Sequence, residues 1–85
     1  MLLLGNHGVM VAASSVAQAF DDLYYFERAC ETYLTALASG RPLRIASDEV
    51  ARKTAQQWLD YPDFAERHFA ALRRILDREE VEYRL

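Results

Sequence analysis

Met1-Leu2-Leu3-Leu4-Gly5-Asn6-His7-Gly8-Val9-Met10-Val11-Ala12 opens the chain, and the reading of this stretch decides the fold. Four apolar residues run into a turn bracketed by Gly5 and Gly8, and an apolar, partly β-branched run restarts at Val9. Strand, turn, strand is the economical reading of residues 1–13, either as a hairpin or as two strands of one sheet. The apolar positions are consecutive rather than alternating, the pattern of strands covered on both faces. Two strands cannot cover each other in that way, so the pattern calls for further structure packed against them.

Outward from this stretch the period changes. Ser15 and Gln18 have the spacing of a capping box, in which each side chain reaches the other's backbone N–H. Val16, Ala19, Phe20, Leu23, Phe26, Cys30, Leu34 and Leu37 then recur at helical intervals, and Gly40 with Pro42 supplies the stop. The spacing predicts a helix over 15–39, roughly 36 Å long at 1.5 Å per residue, which exceeds what a small globule needs. Ser47-Asp48-Glu49 is a second helix start, with acids suited to the positive end of the dipole, and predicts a helix over 47–60. Pro62 closes that helix and suits the first turn of a third, predicted over 62–79 and lined by Phe64, Ala65, His68, Phe69, Leu72, Ile75 and Leu76. Residues 80–85 are read as a charged tail. The whole is an α+β arrangement, two short strands followed by three helices.

At 85 residues, 52% apolar, the chain allows one small domain and is too apolar for intrinsic disorder. Ten basic against thirteen acidic residues remove the electrostatic case for a nucleic-acid partner. Neither apolar run approaches the roughly 18 residues of a membrane span, and no basic segment precedes the first as in a signal peptide, so a soluble, cytoplasmic protein is expected. One cysteine cannot make an internal disulfide. A large apolar share without a covalent staple suggests surface meant for a partner or for further chain.

Among residues able to carry chemistry, His7 has the most telling context. It sits in a tight turn directly after a strand, where a side chain projects from a rigid edge. A metal site needs three or four ligands, and the sequence has no His-x-His and no cysteine pair, so the local residues leave His7 open between ligand and plain turn residue. His68 reads as a partly buried helix histidine, and Cys30 as a small buried hydrophobe on the apolar stripe. Asp21-Asp22 and Glu79-Glu80 read as solvated or helix-end charges, and Tyr24, Tyr25 and Trp58 as packing residues.

Taken as an ordered set, Leu2-Leu3-Leu4-Gly5-Asn6-His7-Gly8-Val9-Met10-Val11, Ser15-Val16-Ala17-Gln18-Ala19-Phe20 and Leu23-Tyr24-Tyr25-Phe26-Glu27-Arg28-Ala29 resemble the C-terminal part of class II aldolase/adducin domains. Gly40-Arg41-Pro42-Leu43 and Ser47-Asp48-Glu49-Val50-Ala51 continue the resemblance over most of residues 1–59, and Asp77-Arg78…Tyr83-Arg84 extends it loosely. The resemblance implies a larger α/β/α three-layer domain around a mainly antiparallel sheet, assembled as a homo-oligomer, commonly a tetramer. In the catalytic members three histidines bind zinc or another divalent metal, two from an upstream His-x-His and the third from the Asn-His-Gly turn, which is His7 here. The metal polarises a carbonyl while an upstream glutamate moves protons, cleaving a carbon–carbon bond of a small hydroxy-carbonyl substrate, phosphorylated or not. The His-x-His and the glutamate are not among residues 1–85. The chain is therefore expected to be incomplete and inactive alone, with His7 its one metal ligand. The alternative is a non-catalytic adducin-like interaction or assembly module.

Overall fold

A computed structural model of the chain describes residues 1–79 and 81–84. Two antiparallel strands, β1 (Leu2–Leu4) and β2 (Gly8–Met10), precede three helices, α1 (Val16–Ala38), α2 (Asp48–Leu59) and α3 (Asp63–Glu79). The strands form a hairpin in the register Leu2 opposite Met10, Leu3 opposite Val9 and Leu4 opposite Gly8. Within the charged tail, Val81–Arg84 forms one turn of 3₁₀ helix, and the Tyr83 hydroxyl donates back to Asp77 on α3. The rest of the expected tail, residues 80 and 85, lies outside the described residues.

Local chemistry accounts for the helix ends. Ser15 is extended, and its Oγ accepts from the Gln18 N–H at 3.1 Å, which satisfies one of the free donors at the start of α1. The reciprocal arm of the capping box is not made. The Gln18 side chain turns forward instead and donates to Asp22 Oδ1 at 2.8 Å, an i,i+4 pair on the helix surface. At the other end Gly40 takes φ +70°, a left-handed conformation that glycine adopts without a Cβ penalty, and its N–H donates to Leu37 O. Ser47 Oγ accepts from the Val50 N–H at 3.3 Å and opens α2. Pro62 stands in the turn before α3, where the Phe64 N–H donates to Tyr61 O at 3.2 Å. Ser15→Ala should cost α1 about 1 kcal/mol through the lost cap, read as a lower melting midpoint, whereas Ser15→Gly should cost only a few tenths.

Packing is concentrated between α1 and α3. Ala17 and Ala65 are buried where these helices meet, and the Phe20 and Phe69 rings lie 5.8 Å apart beside them. α2 joins through side chains, the Trp58 ring standing edge-on to Tyr25 at 4.9 Å. Among the described residues no strand Cα comes within 8 Å of a helix Cα. The helices do not cover the hairpin, in keeping with strands whose cover was expected from further structure: Leu2, Leu3 and Met10 are all more than half exposed. Cys30, expected to be buried, is only half-buried. No helix among the described residues is long and apolar enough to cross a membrane.

Candidate functional site

His7 is displayed by the turn that joins β1 and β2. The His7 N–H donates to Leu4 O at 3.1 Å, closing a β-turn over Leu4-Gly5-Asn6-His7. Asn6 takes the left-handed position at φ +61°, which asparagine tolerates better than most residues, and Gly8 follows at φ +129°. Of the two glycines flanking the turn, it is Gly8 that needs its conformational freedom, while Gly5 keeps an ordinary negative φ. The His7 imidazole is exposed, and no described side chain hydrogen-bonds to it. Both ring nitrogens are thus open on a backbone held by a hydrogen-bonded turn.

A metal centre needs more than one such group. Zinc takes three or four ligands at about 2 Å. Among the described residues no three His, Cys, Asp or Glu side chains gather where they could hold an ion. Residues 1–85 by themselves do not fit the divalent metal that the resemblance implies.

The second histidine has the richer surroundings. Asp21, expected to be a solvated charge near the start of α1, is 2% exposed and is the one buried polar residue among those described. Its Oδ1 lies 2.7 Å from His68 Nδ1 on α3. The His68 ring is bounded by Tyr24 at 4.6 Å, by Tyr25 at 5.9 Å and by Phe20 at 5.9 Å. Asp21 is one helical turn from Ala17 and three residues before Tyr24, so it points into the same α1–α3 seam. Ala65 and His68 have matching spacing on α3. The signal was present in the sequence, an acid four residues from an alanine on the packing face, but its partner 47 residues away was not.

Tyr24, Tyr25 and Trp58 do pack against one another, as expected, although each keeps about two-fifths of its surface exposed. Further along α3 an apolar groove of about 540 Å³ runs between Phe20, Phe69, Leu72, Leu76 and Tyr83.

With the hairpin turn and α1 in place, the comparison with known families becomes specific. Residues 1–34 match the class II aldolase and adducin N-terminal domain. The match takes in β1, the His7 turn, β2 and α1 as far as Leu34. It stops inside α1, so α2, α3 and the segments around Gly40 and Ser47 lie outside the matched region. No curated protein and no solved structure matches the chain. The aldolase/adducin likeness is thus carried by the segment that presents His7, and the Asp21–His68 pair joins a matched helix to an unmatched one.

Proposed function

We propose that residues 1–85 act as the C-terminal part of a divalent-metal-dependent class II aldolase-like enzyme, with His7 as one of its metal ligands. The observation that supports this reading is the family match over residues 1–34, which includes the turn where His7 stands exposed with both ring nitrogens open. The other ligands, a His-x-His pair, and the proton-moving glutamate come from outside residues 1–85. The reaction class is carbon–carbon bond cleavage in a small hydroxy-carbonyl substrate, phosphorylated or not. A three-layer α/β/α domain with a mainly antiparallel sheet, assembled as a cytoplasmic homo-oligomer, would supply the cover that β1 and β2 lack here. A second reading, a non-catalytic adducin-like assembly module, is favoured by the far half of α1, where Tyr33 and Leu34 are more than half exposed and Leu37 nearly so.

Zinc titration separates the two. The 85-residue chain alone should bind zinc no more tightly than an isolated imidazole does, since one ligand gains nothing from chelation. Joined to a preceding segment that carries His-x-His and a glutamate, the chain should hold stoichiometric zinc. In that longer protein His7→Ala should weaken the metal by more than the roughly 10–100-fold that loss of an outer-shell partner costs, with turnover falling in parallel. The melting temperature of the metal-free protein should not change, because His7 is exposed. Stoichiometric zinc retained by the longer His7→Ala protein would overturn the ligand assignment. Zinc bound without turnover would favour the assembly module.

A further inference from the structure

We propose that α1 is the dimer interface of this chain, pairing antiparallel with α1 of a second copy through a heptad stripe on its bare side. The helix carries two apolar faces. Ala17 and Asp21 are buried, and together with Tyr24 they form the side that meets α3. Phe26 follows Ala17 by nine residues, so at about 100° per residue the two stand on opposite sides of the helix. Ala19, Leu23, Phe26, Cys30, Tyr33 and Leu37 share that far side, at intervals of four, three, four, three and four residues. This is the spacing of a coiled-coil seam, and it runs for roughly 27 Å at 1.5 Å per residue. Among the described residues α3 is the only element whose Cα atoms come within 8 Å of α1. The stripe is accordingly open: Leu23 is 39% exposed, Leu37 46% and Tyr33 56%.

Three observations point to a second copy as the occupant. The first is area. The chain exposes 7728 Å² where a compact monomer of 9.8 kDa exposes roughly 5,200 Å², and the excess is well above the roughly 800 Å² per partner of a standard interface. The second is self-complementarity. The intervals read the same in both directions, so a twofold axis beside Arg28 sets Ala19 opposite Leu37 of the copy, Leu23 opposite Tyr33 and Phe26 opposite Cys30. The two smallest side chains thus face large ones, which lets the layers interdigitate. The third is charge. Turned antiparallel, the flanks set Phe20 against Leu34 and Asp22 against Ala36, and only Glu27 meets its own copy. A parallel pair would set Asp22 against Glu27 twice, a like-charge contact on each side. The interface uses no residue of the hairpin, so it stands or falls apart from the His7 assignment.

The test uses the full chain carrying Leu3→Lys, which removes the hairpin as a route to association. Sedimentation velocity should still show a monomer–dimer equilibrium. Adding Tyr33→Lys should weaken the dimer by more than about tenfold, since an ammonium would enter a closed apolar seam. Helix content by circular dichroism should not change, because Tyr33 lies on the side of α1 away from α3. Glu27→Lys reports the orientation. Alone it should not tighten the antiparallel dimer, because two like charges still meet at the twofold axis. Mixed in equal amounts with the chain that keeps Glu27, it should associate severalfold more tightly than either chain does by itself. A parallel pair would instead tighten with Glu27→Lys alone, through Asp22. Dimerisation unchanged by Tyr33→Lys, or a Glu27→Lys chain that dimerises more tightly on its own, would overturn the proposal. So would a Leu3→Lys chain that stays monomeric at every concentration, an outcome that assigns the stripe to a different partner.

Discussion

His68→Phe should lower the stability of the fold by about 3 kcal/mol, the cost of leaving a buried carboxylate without a partner. The substitution keeps a ring of similar volume between Phe20, Tyr24 and Tyr25, so packing is largely retained and the loss isolates the polar contact. Asp21 cannot recover by turning to water, since it is 2% exposed. Asp21→Leu made together with His68→Phe should restore most of the loss, because the pair is then replaced by apolar groups and nothing charged is left in the seam. Denaturant midpoints of wild type, the two single variants and the double variant provide the measurement. They are compared at one fixed protein concentration, since association and unfolding are linked. A loss below 1 kcal/mol for His68→Phe, or a double variant no better than the worse single, would show that the carboxylate finds another partner when the imidazole is gone.

The second large effect is self-association. The chain exposes 7728 Å², whereas a compact monomer of 9.8 kDa exposes roughly 5,200 Å². Its radius of gyration of 16.2 Å likewise exceeds the roughly 12 Å of a compact domain of this length. The difference in area, roughly 2,500 Å², is comparable with one partner's share of a large obligate interface. Much of it is apolar: Leu3 is 68% exposed, Leu34 63% and Leu59 70%. The hairpin adds free strand edges, which template pairing with other chains. Sedimentation velocity on the purified chain should therefore show a mass that rises above the monomer with concentration, together with a broad melt. Leu3→Lys combined with Leu34→Lys, one charge on the hairpin and one on the bare half of α1, should shift the distribution back towards monomer. A wild-type chain that sediments as a monomer at every concentration and melts sharply would sink this expectation.

The kinds and order of the elements were legible from the chain, because they depend on local chemistry. The change from consecutive apolar residues at Leu2–Leu4 to helical spacing from Val16 separates strands from helices, and Ser15, Gly40, Ser47 and Pro62 bound the helices through hydrogen bonds or fixed torsions within a few residues. His7 could be singled out for the same reason, since a turn between two strands is a short-range event. Reach across the molecule was not legible. Gln18 had two partners within one turn, the Ser15 N–H to accept from and the Asp22 carboxylate to donate to, and its choice of Asp22 depends on side-chain placement that spacing does not encode. Asp21 carries a charge that in isolation favours water, and only the packing of α1 against α3 brings His68 close enough to make burial tolerable. Local sequence sets what each segment is; which surfaces meet is a property of the assembled chain, where the desolvation of one carboxylate is balanced by an imidazole 47 residues away.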